Sequence, residues 1–337
     1  MKAIVYTKYG PPDVLQLKDV AKPDPKEDQV LVKVHAASVN ALDYRRFEKT
    51  STLERFMEER LLKTINKILG ADIAGRVEAV GANVKQFQQG DEVFGVSAGS
   101  SGGFAEYACA VENNLALKPA NLSFEAAAAV PIAALTALQG LRDKGKIQLG
   151  QKVLINGASG GVGTFAVQIA KSFRAEVTAV CSSRNLEMAR SIGADHVIDY
   201  KKEDFTKNGQ RYDLILAVNG YHPILDYRRA LSPNGILVVV GGSMNQIIQG
   251  LLLGPLVSRT GSKKASFMGI AKPNQKDLVF LGELLEAGKI VPDIDKCYPL
   301  SEVPEAVRYL VEEHAKGKVV ITVEHNNKTL SRGSVDR

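Results

Sequence analysis

Cysteine is scarce in this chain: Cys109, Cys181 and Cys297 lie far apart, are odd in number and show no C-x-x-C spacing. That excludes a disulfide framework and points to a reducing compartment, read here as the cytoplasm. Histidine is equally thin. His35, His196, His222, His314 and His325 form no i,i+4 pair and no cluster along the sequence, so no zinc-ligand spacing can be assembled from them. No apolar run approaches the roughly 20 residues of a membrane span; "IIQGLLLGPLV" over 247–257 is short and broken by Gly and Pro. The opening "MKAIVYTKYG" reads as a strand and a turn, without a signal-peptide pattern. Dense basic runs with interleaved aromatics are missing, so the net charge of +6 does not indicate nucleic acid. It fits a mildly basic enzyme that attracts an anionic ligand, and it leaves weak, salt-sensitive peripheral membrane association open.

What is present divides in two. A length of 337 residues suits two domains better than one core. Strand-like stretches fill the first 120 residues: 29–40, 73–81, 91–96 and 103–111, separated by Gly, Asn and Asp. Between them, 48–69 carries Leu53, Phe56, Met57, Leu61 and Leu62 at helical spacing, which predicts an amphipathic helix. From about 123 an alanine-rich helix begins, with Ser123 as its N-cap. Short Val- and Ile-rich strands then alternate with helices ("KVLIN", "EVTAVC", "HVIDY", "YDLILAV", "ILVVVGG"), the pattern of a parallel sheet covered on both faces. The expected architecture is α/β: a doubly wound parallel sheet over 125–270, a mostly-β domain over 1–124 completed by about 300–325, a return segment at 271–299 and a polar tail at 326–337.

The chemistry concentrates in "VLINGASGGVG", residues 153–163. A strand ends at Asn156 and a helix starts near Gly161. Against the dinucleotide fingerprint G-x-G-x-x-G, Ala158 takes the first glycine position, Gly160 the second and Gly163 the third, with Ser159, Gly161 and Val162 completing the loop. Gly160, lacking a Cβ, lets backbone lie against a pyrophosphate; Gly163 lets helix and strand approach; the helix N-terminus offers free N–H groups to phosphate. An NAD site needs a carboxylate about 20 residues on, at the end of the second strand. That strand ends instead in Cys181-Ser182-Ser183-Arg184. Hydroxyls and a guanidinium suit a 2′-phosphate, so the expected cofactor is NADPH, with Ser182 and Arg184 on that phosphate. Tyr200 either lies over the adenosine end or is an ordinary strand-end tyrosine.

With these residues quoted, the chain resembles the zinc-free, quinone oxidoreductase-like branch of the medium-chain dehydrogenase/reductase superfamily. Matching stretches run through most of 1–325, among them "VLVKVHAASVNALDYR", "LGADIAGRVEAVG", "AAAVPIAALTALQGL", "VLINGASGGVG" and "GADHVIDY". The resemblance implies a GroES-like catalytic domain around a Rossmann domain, an active site in the cleft between them, a homodimer formed through sheet edges, and hydride transfer from NADPH to a quinone or an α,β-unsaturated carbonyl. Asn40 stands where zinc-dependent relatives place a cysteine, and Gly70-Ala71-Asp72 where they carry Gly-His-Glu, so the resemblance implies no metal. It assigns the pocket to Asn40, as an amide donor to a carbonyl oxygen or else a strand-end turn residue, and to Tyr44, which stacks or donates its hydroxyl. Asp43 is read as fixing loop geometry. Thr136 is placed near the nicotinamide or phosphates, or else bonds back to its own helical turn. Asn219 follows a strand and faces the cleft, and Gly241 and Gly242 either admit the ribose–nicotinamide or form a tight turn. Lys318 reaches a phosphate or is a solvated strand-start lysine. Two rival functions stay open at this stage: an NADPH-holding structural factor with little turnover, and an enoyl reductase for carrier-bound acyl chains.

Overall fold

The computed structural model describes residues 1–47, 67–242, 245–250, 252, 262–312 and 315–325. Its β-rich beginning contains β1 (Lys2–Tyr6), β2 (Gln16–Asp19), β3 (Gln29–Val39), α1 (Ala41–Phe47), β4 (Lys67–Ile68), β5 (Asp72–Val80), β6 (Glu92–Val96), β7 (Tyr107–Val111) and β8 (Leu115–Leu117). Two helices follow, α2 (Phe124–Ala128) and α3 (Pro131–Gln139). Next come β9 (Lys152–Asn156), α4 (Gly161–Ser172), β10 (Glu176–Cys181), α5 (Leu186–Ser191), β11 (His196–Asp199), β12 (Tyr212–Ala217), α6 (Ile224–Ala230), β13 (Leu231–Val239) and β14 (Lys264–Phe267). The chain closes with α7 (Gln275–Glu286), β15 (Ile294–Pro299), α8 (Val303–Glu312) and β16 (Lys318–Thr322).

Six strands form one parallel sheet in the order β11-β10-β9-β12-β13-β14. Counted from β9, that is 3-2-1-4-5-6, the Rossmann order, with its switch point between β9 and β12. The continuous apolar runs have the expected cause. Val153 and Ile155 of β9 enter a core with α3 and α4, while Leu154 enters a second core with Ile215, Leu237 and Tyr227. Alternate residues thus face opposite layers, and both layers are apolar.

The second sheet runs β15-β16-β3-β5-β6-β8, with β7 also on β3, and β2-β1-β4 makes a small third sheet. β3 is its backbone, antiparallel to β5, β7 and β16. Ala36 of β3, Ala74 of β5 and Phe94 of β6 share one core with α3 and α4, so the two domains are packed together.

Several expectations need correction. The return to the β-rich domain begins at Ile294, where β15 pairs with β16, not near residue 300. The strand expected over 103–111 is regular only from Tyr107. The helix expected over 48–69 lies outside the described residues as far as 66, and its end, Lys67–Ile68, is strand paired with β1. The tail at 326–337 also lies outside them. The His35 ring stacks on Phe124 at 4.4 Å between centroids and meets His325 edge-on at 5.4 Å, and its Nε2 is buried without a partner.

The junction of α3 and α7 is clamped by Asp277. Asn274 caps α7 by accepting the Asp277 N–H, and the Asp277 carboxylate accepts from Asn274 Nδ2 (2.9 Å), Gln139 Nε2 (2.9 Å) and Arg142 Nη1 (2.7 Å) and Nη2 (3.1 Å). Asp277→Ala strands these donors and should lower stability by roughly 1.5–3 kcal/mol, read as a lower urea midpoint at unchanged slope. An unchanged midpoint contradicts the clamp.

Candidate active site

The glycine loop sits at the switch point. Gly157 has φ 87°, a backbone that side chains rarely adopt, and its Cα faces Asn219, whose Cβ would stand 2.8 Å from an added methyl. The left-handed residue of the loop is Gly157, one position before the fingerprint's first place at Ala158, which is fully buried in the core. Gly163 lies under the loop, where a Cβ would come 2.2 Å from the Gly157 carbonyl oxygen, so helix and strand meet backbone to backbone. Gly160 faces open space, with nothing within 4 Å of an added Cβ, and it precedes α4 without a side-chain cap. The first N–H groups of that helix point at an open cradle, a site suited to an anion. Ser159 and Gly161 are half-buried, as is Val162.

At the end of β10, Ser182 accepts from Asn185 Nδ2 at 3.3 Å, and Arg184 and Tyr200 are exposed on the same rim. Sequence reading missed Asp199, which ends β11 directly beside Cys181. Its two oxygens are engaged, by Ser183 Oγ at 2.5 Å and the Lys201 N–H at 3.0 Å. Ser183 holds its carboxyl below the ordinary aspartate range, with Lys202 and Lys201 adding to the effect.

In the β-rich domain, strand register assembles a buried polar junction. Ser38 of β3 pairs with Asp72 of β5, and Val39 pairs with Val319 of β16, which brings Lys318 beside Asn40. Asp72 is fully buried. It accepts from Ser38 Oγ (2.7 Å), Asn40 Nδ2 (2.9 Å), the Ile132 N–H (2.9 Å) and, at 3.3 Å, Lys318 Nζ. Ile132 is in the first turn of α3, so this carboxylate also answers a free helix N–H of the other domain. Lys318 Nζ donates to Asn40 Oδ1 at 2.7 Å. Asp43 accepts from the Asn40 N–H (2.9 Å) and the Gly70 N–H (3.1 Å), fixing the loop as the sequence suggested.

The remaining candidates fall around this frame. Tyr44 is half-buried on α1 against the β-rich core. Thr136 is buried and donates to the Ile132 carbonyl one turn back, at 2.6 Å. Asn219 is exposed at the β12 end, its Oδ1 accepting from the Gly220 N–H. Gly241 and Gly242 form a tight turn: Gly242 has φ 98°, and a Cβ there would lie 2.6 Å from the Gly220 oxygen. The solvated alternative for Lys318 does not hold, since it is 3% exposed and its ammonium joins the junction. Asp72 and Lys318 were missed as partners because 246 residues separate them.

This two-domain frame is that of the medium-chain dehydrogenase/reductases. Residues 26–120 match the family model described as "Alcohol dehydrogenase GroES-like domain" and 192–321 the one described as "Zinc-binding dehydrogenase". The chain is 36% identical to the 2-methylene-furan-3-one reductase of Solanum lycopersicum, over 95% of this chain and 79% of that one. It is 34% identical to the chloroplastic NADPH-dependent alkenal/one oxidoreductase of Arabidopsis thaliana, over 95% and 79%. The quinone oxidoreductase structure from Coxiella burnetii superimposes with a TM-score of 0.84 at 32% identity, covering 96% of this chain and 99% of that one. The chain belongs to the medium-chain dehydrogenase/reductase superfamily and, within it, to the zinc-free quinone oxidoreductase-like branch. The family's zinc does not fit the residues here. Asn40 and Ala71-Asp72 occupy the ligand positions, and an ammonium already stands between the Asn40 and Asp72 oxygens. Among the described residues, no three His, Cys, Asp or Glu side chains converge as a metal site.

Burial pushes the Asp43 carboxyl up to about 7, against the Asn40 N–H, with the charge of Asp72 adding to the rise. An unfolded aspartate titrates near 3.9. Between those values the folded chain holds a proton that the unfolded chain does not. Stability therefore falls as pH rises from about 4 to about 7, by up to roughly 1.4 kcal/mol per unit from this group. Asp43→Asn should flatten that slope in urea unfolding across this range; a variant with the wild-type slope contradicts the assignment.

Proposed function

We infer that this chain is an NADPH-dependent reductase that passes hydride to quinones or α,β-unsaturated carbonyls. The observation that carries the reading is the cleft itself: an uncapped helix N-terminus under an open glycine cradle, one strand connection away from a buried amide junction that contains no metal ligand set. The printed activities of the relatives, reduction of an alkenal/one, a furanone and a quinone, support it.

Bound NADPH supplies the hydride. The N–H groups of α4 would hold the pyrophosphate, and Ser182 and Arg184 the 2′-phosphate, with Tyr200 toward the adenosine end. Thr136, Asn219, Gly241 and Gly242 would lie toward the nicotinamide half. Asn40 Nδ2 donates one N–H to Asp72; its other contact, to the Ser38 carbonyl, is long at 3.4 Å, which leaves a donor for the acceptor's oxygen. Hydride enters the acceptor at the β-carbon, the electron pair moves onto that oxygen, and the N–H stabilises the resulting enolate until water protonates it. Tyr44 walls the pocket.

We infer further that two copies pair through β14, which lies at the open edge of the parallel sheet, with Ile270 just beyond it 71% exposed. The cytoplasm is the proposed compartment, on the strength of three free thiols. Among the described residues no helix is long and apolar enough to cross a membrane.

Purified protein should oxidise NADPH in the presence of 9,10-phenanthrenequinone or a simple enone. Arg184→Ala should raise the KM for NADPH by about 10- to 100-fold, as loss of a charged hydrogen bond implies, and change the KM for NADH by less than about twofold. Equal loss with both cofactors would refute the phosphate assignment; binding of NADPH without turnover of any acceptor would refute the activity.

A further inference from the structure

Two consecutive residues join the glycine loop to the amide junction. The Gly317 N–H donates to the Ser159 carbonyl at 2.9 Å, and Gly317 bridges Gly160 in a short parallel contact. On the other side, the Asp293 carbonyl accepts the Lys318 N–H at 2.7 Å, so the turn is pinned between the return segment and the cofactor loop. From there the Lys318 stem passes Gly161, where an added Cβ would lie 2.8 Å from Lys318 Cδ. Its Nζ ends at Asn40 Oδ1 (2.7 Å), with Asp72 Oδ2 and the Val39 carbonyl each at 3.3 Å.

A lysine buried this far is rare without a use for its charge. Neutralising Asp72 is a weak explanation, since three other donors already reach that carboxylate. The sharper consequence falls on Asn40. An amide can sit either way round in a pocket, and its neighbours decide which. A donor-only ammonium on one side and an acceptor-only carboxylate on the other permit a single orientation, with Oδ1 toward Lys318 and Nδ2 as the donor end.

We propose that Lys318 is a positioning residue for hydride transfer: its stem braces the glycine loop at Gly161, and its ammonium locks the Asn40 amide with Nδ2 as the donor for the acceptor's oxygen. The second half rests on the role given to Asn40 above; the first does not.

The test uses Lys318→Met, which keeps a stem without charge, and Lys318→Ala, which keeps neither, each alone and combined with Asn40→Ala. NADPH affinity is read by fluorescence titration and kcat with the best acceptor. Bracing predicts that Lys318→Met binds NADPH within twofold of wild type and that Lys318→Ala binds at least fivefold more weakly. Locking predicts that both lower kcat at least tenfold when Asn40 is present, and less than twofold in the Asn40→Ala background. Should Lys318→Met not fold with Asp72 unpaired, the neutral pair Asp72→Asn with Lys318→Met replaces it, with the same two expectations. Equal NADPH affinity for Met and Ala, or kcat losses that multiply with Asn40→Ala, would overturn the proposal. If the wild-type protein reduces no acceptor, the proposed function fails, and the difference in NADPH affinity between Met and Ala still decides this one.

Discussion

A carboxylate with no access to water has to be answered entirely by the protein around it. Asp72 is in that position, and its answers come from β3, from Asn40 just beyond it, from the start of β16 and from the first turn of α3. Three of these belong to the β-rich domain and one to the parallel-sheet domain. Satisfying a single buried charge therefore fixes how the two halves meet, which way the Asn40 amide points and where Lys318 must run. The same arrangement places an ammonium in the position of a divalent cation, so the electrophile has to be brought by the substrate.

That constraint limits the chemistry. With no Lewis acid to polarise a plain carbonyl, the site is suited to acceptors whose own conjugation delocalises the incoming electron pair. On the proposed reading the remaining work is positional: a helix N-terminus and a guanidinium for phosphates, and a neutral amide for oxygen.

Local signals were legible in the sequence, and non-local ones were not. The alternation of Val-rich strands with helices identified the parallel sheet, because burial on both faces leaves a mark in every strand. The glycine loop was legible for the same reason: Gly160 and Gly163 are needed within one turn of backbone. Even there the left-handed turn falls on Gly157, one position before the fingerprint's first place, where an added Cβ would meet Asn219, far along the chain. Lys318 read as a lysine that reaches a phosphate or is solvated at a strand start, because nothing nearby announces that β16 inserts beside β3. Asp72 read only as the residue at the glutamate position, next to a missing histidine. Asp199 escaped because it reaches the end of β10 from the neighbouring strand. The early return at Ile294 was hidden in a strand whose residues are half-exposed and lack a strong apolar alternation.

The most direct test of the central claim follows the hydride itself. NADPH carrying deuterium at C4 of the nicotinamide is given to the protein with an enone, and the product is examined by NMR and mass spectrometry. The account predicts one deuterium at the β-carbon and a solvent-derived proton at the α-carbon. Oxidation of the cofactor with no deuterium in the product, or with deuterium on the carbonyl carbon, would contradict it.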